Sequence, residues 1–127
     1  MLVSRMYKLE KLVQKHSDNE IINNSSQVLD VCSKAKFRIS SMDDLNYVIG
    51  AVAIPYETMI KYINDYENKM MDEHDECRFI GELSEYHDIS PDIFVQRFKS
   101  VRKLSKNLVY KNKVLVKGAK KYDESQQ

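Results

Sequence analysis

The chain has 127 residues, 43% hydrophobic and 31% charged, with 20 Lys and Arg against 19 Asp and Glu. That length fits one domain of roughly 100 to 200 residues, and nothing reaches the roughly 20 consecutive apolar residues that span a bilayer. The longest apolar run, residues 47–54, is bounded by Asp43, Asp44 and Pro55, so a membrane protein is excluded from the expectation.

Charge interrupts the first residues before any apolar signal core develops, so no secretory signal is read there. A cytoplasmic protein with Cys32 and Cys77 as reduced thiols is expected. Three glycines and two prolines are few for an all-β fold with tight turns. Many Lys, Glu, Leu, Met and Gln residues favour helix. The expected fold is mainly α: a compact domain of about five helices over residues 1–117, then a flexible polar tail at 118–127. Abundant Lys, Asn, Ile and Tyr also hint at an AT-rich coding sequence.

The first helix is expected over 4–16, where Met6, Leu9, Leu12 and Val13 recur at three- and four-residue spacing. A weaker helix follows over 20–36, interrupted by the polar residues 23–26. Residues 36–40 alternate polar and apolar, the pattern of a brief strand. Ser41, Asp43 and Asp44 form a helix start, since carboxylates favour the positive N-terminal end. The helix to about residue 54 is apolar on most sides and is read as the central buried one. Pro55 suits the first turn of the next helix, whose inward face is Met59, Ile60, Tyr62, Ile63 and Tyr66.

Phe79, Ile80 and Leu83 resume the helical pattern up to Tyr86, and His87-Asp88 makes a turn. Ile89-Ser90-Pro91-Asp92 then supplies an apolar anchor, an N-cap serine, a first-turn proline and a first-turn carboxylate. The helix that follows carries Ile93, Phe94, Phe98, Val101 and Leu104. Residues 108–116 read as two β-prone triplets about Lys111-Asn112-Lys113, a short C-terminal hairpin, with helix continuation as the rival.

The small net charge hides a division along the chain. Residues 57–92 hold 3 basic and 11 acidic groups, whereas residues 93–121 hold 10 basic groups and no acidic ones. Asymmetry of this size points to an interaction surface. It falls on a helix-turn-helix over about 73–106. Ser84 is the small residue where two steeply inclined helices cross, Asp88 is a tolerable occupant of left-handed backbone, and Ile89, Phe94 and Phe98 pack the pair. Such a unit binds DNA when its second helix enters the major groove and basic flanks neutralise phosphates. Ser90, Gln96, Arg97, Lys99, Arg102, Lys103 and Lys106 are the candidates, with Lys111 and Lys113 on a basic hairpin wing. The bland reading is a helical hairpin whose basic face balances the acidic helix before it.

The segment Asn46-Tyr47-Val48-Ile49-Gly50-Ala51-Val52-Ala53-Ile54-Pro55 resembles the N-x-F-A-A-x-L-L-M-P segment of ImmA/IrrE-type metallopeptidases. Leu83-Ser84 with His87, then Ile89-Ser90 and Arg97-Phe98, resemble the helix-turn-helix-like segment that follows it in that family, so the likeness covers residues 43–104. It implies a regulatory role in a phage or mobile element. The His-Glu-x-x-His zinc helix of those peptidases does not occur in this sequence, which makes the expectation a non-enzymatic remnant that keeps the interaction part.

Asp72-Glu73-His74-Asp75-Glu76-Cys77 with His87 lacks the paired His/Cys spacing of a tetrahedral metal site. No metal or other cofactor is expected, and no nucleophile elbow or phosphate loop is present. The leading expectation is therefore a regulator that binds duplex DNA. Its rival is a protein-binding inhibitor or antirepressor that acts on a host or phage protein, with Asp65, Glu67, Asp72, Glu73, Asp75 and Glu76 mimicking phosphate. A homodimer is the third reading.

Overall fold

The computed structural model describes residues 2–18 and 25–114. The described residues contain six helices: α1 (Val3–Asp18), α2 (Ser25–Lys34), α3 (Met42–Ala53), α4 (Tyr56–Asn68), α5 (Glu73–Tyr86) and α6 (Pro91–Val114). The mainly α expectation holds, with one helix more than the approximate five. The polar tail at 118–127 lies outside the described residues, as does the start of the helix expected from residue 20.

Local chemistry sets the helix ends. Ser41 caps α3, its Oγ accepting from the Asp44 N–H at 3.1 Å, and Asp72 caps α5 by accepting from the Asp75 N–H at 2.8 Å. Ser90 does the same for α6, accepting from the Ile93 N–H at 3.2 Å. Pro55 occupies the N-cap of α4, one position before its first turn. Both α2 and α5 close with paired Schellman bonds about a residue in left-handed backbone. In the first, Lys36 has φ of 60° and the Phe37 N–H reaches the Cys32 carbonyl at 2.7 Å. In the second, Asp88 has φ of 55° and the Ile89 N–H reaches the Ser84 carbonyl at 3.0 Å.

Two sequence expectations fail here. Residues 36–40 form no strand, because Lys36 completes the α2 cap and the segment has no strand to pair with among the described residues. The hairpin expected over 108–116 is not formed through Val114, since α6 continues unbroken to that residue. Lys111-Asn112-Lys113 lacks the glycine favoured at the left-handed position of a three-residue hairpin loop, and extending an existing helix avoids a new nucleation step. Residues 115 and 116 lie outside the described residues.

Helix α6 is the hub, with α1, α3, α4 and α5 all packed against it. It joins two apolar clusters. Leu104 enters the first, with Met6, Leu9 and Val13 of α1, Val28 and Cys32 of α2, and Tyr47, Val48 and Ala51 of α3. Phe94 and Val101 enter the second, with Ile54, Met59 and Ile63, against which Phe79, Ile80 and Leu83 of α5 pack. Burying each large apolar side chain contributes about 1.5 to 3 kcal/mol. Helix α3 is well buried, as expected, but the central position belongs to α6. No helix among the described residues is long and apolar enough to cross a membrane.

The left-handed turn between α5 and α6 gives a direct test of this arrangement. Asp88→Gly is expected to leave stability unchanged or raise it by up to about 1 kcal/mol, because glycine adopts positive φ without a Cβ clash. Asp88→Val is expected to lower it by about 1 to 2 kcal/mol. Urea denaturation of the three proteins reads both, and a Val variant as stable as the parent would contradict the assigned backbone.

Candidate nucleic-acid interface

The two faces of α6 have different jobs. Phe94, Arg97, Val101 and Leu104 are buried and recur at three- and four-residue intervals. Asp92, Lys99, Lys103 and Lys106 are exposed on the opposite side. Successive positions advance by 100° around a helix of 3.6 residues per turn, so Lys99, Lys103 and Lys106 fall in one row. None of the three forms an ion pair with a described carboxylate.

Arg97, proposed from the sequence as a DNA contact, instead lies in the core with its side chain 1% exposed. Its Nε donates to the Ile54 carbonyl at 3.1 Å, a group left without an intrahelical partner at the end of α3. Its Nη2 donates to Glu10 Oε1 at 3.1 Å, and its Nη1 donates to Glu10 Oε2. The Tyr47 hydroxyl donates to the same Glu10 oxygen at 2.5 Å, and the guanidinium carbon lies 5.5 Å from the Tyr47 ring centre. A guanidinium held this way cannot reach a phosphate without unpacking α6. Gly50 provides the room, because a Cβ there would stand 3.3 Å from the Arg97 Cβ. Sequence reasoning missed Glu10, Tyr47 and Gly50 as one unit. The available signal was the register of position 97 among Phe94, Val101 and Leu104.

The other candidates divide clearly. Ser90 spends its hydroxyl oxygen on the α6 cap. Gln96 is partly buried. Arg102 is half-exposed and has Nε 2.8 Å from Glu67 Oε2, a charge contact without the alignment of a directed hydrogen bond. The backbone at Lys111 and Lys113 is helical, which removes the expected wing through Val114, and their side chains lie outside the described residues.

The acidic set is largely occupied. Glu67 meets Arg102, Asp72 caps α5, Asp75 pairs with Arg78 at 3.2 Å, and Glu76 accepts from the Tyr66 hydroxyl. Asp65 and Glu73 remain exposed. His87 Nε2 lies 2.7 Å from the Tyr62 hydroxyl, fastening the turn before α6 to α4. Among the described residues no group of three His, Cys, Asp or Glu is placed to hold a metal ion.

Beside the Arg97 unit, a groove of about 540 Å³ opens between α1 and the start of α4, with Glu10, Val13, Ala51, Tyr56 and Leu104 among its walls. Burial, and then the nearby Glu10 carboxylate, push the Tyr56 phenol up. Comparison with known protein families, curated proteins and solved structures gave no match to this chain.

The Arg97 unit carries a pH signature through Tyr47. Burial first, and then the Glu10 carboxylate, hold its phenol well above the ordinary tyrosine range. The unfolded chain ionises that phenol near pH 10 whereas the folded chain does not. Its contribution is therefore complete below about pH 10 and is lost as pH rises through the folded value. Stability is expected to fall more steeply above about pH 10 in the parent than in Tyr47→Phe, by up to about 1.4 kcal/mol per pH unit. Urea midpoints measured from neutral to alkaline pH test this, and equal slopes would contradict the burial of the phenol.

Proposed function

We propose that this chain is a small non-catalytic regulator that binds duplex DNA through α6, as its sequence pattern suggested, but from the outward face of that helix. The observation that carries the reading is the row of Lys99, Lys103 and Lys106. These are three exposed ammonium groups on successive turns, free of any described carboxylate and opposite the face that α6 buries. A helix exposing unpaired lysines at this spacing attracts a polyanion, because each phosphate contact releases condensed counterions. Of the seven further basic groups in residues 93–121, Arg97 and Arg102 meet carboxylates, and the other five, all lysines, add positive charge to a stretch with no acidic residue. The resemblance over residues 43–104 to regulators of phage and mobile elements supports a regulatory role.

The acidic reading has less support. Of its six carboxylates, Glu67, Asp72, Asp75 and Glu76 already serve internal contacts, so Asp65 and Glu73 alone would have to imitate a phosphate row.

A mobility shift on duplex DNA at low and moderate salt tests the proposal. Binding should weaken as salt rises, and Lys99→Ala, Lys103→Ala and Lys106→Ala combined should reduce affinity at least about 30-fold at low salt. The fold should be unaffected, since all three side chains are exposed. Undiminished binding by the triple variant, or no binding by the parent at low salt, would overturn the assignment.

A further inference from the structure

Helix-turn-helix proteins that read sequence do so with residues near the N-terminus of the second helix, which reach base edges in the major groove. In this chain that end of α6 is unsuited to the task. Ser90 is committed to the cap, accepting from the Ile93 N–H. Glu85, Asp88 and Asp92 are all exposed about the same turn, so the end that would enter the groove carries the charge of the DNA itself. Phe94 is buried and Ile93 partly so.

The two arginines of α6 are also withheld. Bidentate contact from arginine to guanine is the commonest specific base contact, because the planar guanidinium fork matches two acceptors. Arg97 spends its fork on Glu10 and Ile54 inside the core, and Arg102 lies against Glu67 of α4. The free cations are lysines. A lysine ammonium is a compact charge on a flexible stem, suited to phosphate and without the rigid planar fork that fixes a base contact in arginine.

We propose that the lysine row in the middle of α6 holds duplex DNA by its phosphates alone, so that this chain takes duplexes of any sequence. The proposal rests on the DNA-binding reading above and narrows it. Lys99, Lys103 and Lys106 span eight residues of helix, about 10 Å of rise, along one strand's phosphates. Two described side chains beside this row carry amides: Gln96, which is half-buried, and Asn107, whose Nδ2 donates to the Lys103 carbonyl at 2.9 Å; neither contributes to affinity.

Fluorescence anisotropy with three labelled duplexes of unrelated sequence and different G·C content tests the idea, followed by selection of bound duplexes from a randomised pool. The affinities should agree within about 3-fold at one salt concentration, and no sequence should be enriched. Replacing the three lysines by Ala should lower the magnitude of the slope of log K against log salt by about 2.7, or 0.9 per lysine. Gln96→Ala should bind within about 2-fold of the parent on every duplex. Enrichment of one sequence that binds more than about 30-fold tighter, or a loss confined to that sequence in Gln96→Ala, overturns this proposal alone. Failure to bind any duplex at about 50 mM salt overturns it together with the reading beneath it.

Discussion

An arginine inside a helical core keeps its charge at any ordinary pH, so the fold must supply a carboxylate and acceptors where the guanidinium comes to rest. Arg97 finds both: Glu10 across two nitrogens and the end-of-helix carbonyl of Ile54 on the third. This unit ties α6 to α1 and to the end of α3 at once. Gly50 leaves space for the arginine stem, and Tyr47 donates to the same carboxylate. Removing one partner from such a pair leaves an uncompensated buried charge, which typically costs about 3 to 5 kcal/mol. The rest of the bundle accommodates that constraint, because it fixes which face of α6 turns inward.

From that orientation the surface follows. With Phe94, Arg97, Val101 and Leu104 inward, Lys99, Lys103 and Lys106 are left on the opposite side. The strongly basic segment thus divides into a cation that holds the fold and cations that face solvent. A helix-turn-helix outline is present in α5 and α6, with Asp88 in left-handed backbone and Ser84 buried beneath the crossing. Four neighbouring helices nevertheless surround its second helix, so the surface it can offer a duplex is a strip.

Much of the fold was legible in the sequence because its signals are local. Ser41 and Ser90 cap helices from one position, and the apolar spacing in α1, α4 and α6 needs no knowledge of partners. Asp88 stood out as the turn residue for the same reason. The site was less legible because its central contact is remote: Glu10 and Arg97 lie 87 positions apart, and no local rule joins them. Charge alone suggested that Arg97 faced solvent, whereas its register among Phe94, Val101 and Leu104 placed it inward. The β-prone triplets about Lys111-Asn112-Lys113 imitate a hairpin, but no glycine supplies the turn and α6 continues to Val114. Residues 36–40 looked like a strand by alternation, which a helix cap and its exit can imitate.

A double-mutant cycle on Glu10 and Arg97 measures the central contact itself. Unfolding free energies by urea for the parent, Glu10→Leu, Arg97→Met and the double variant give the coupling. The account predicts a double variant at least about 2 kcal/mol more stable than the two single losses added together, because removing both charges leaves neither stranded. Losses that add to within about 0.5 kcal/mol would mean that the two side chains do not meet, and would contradict the inward orientation of Arg97.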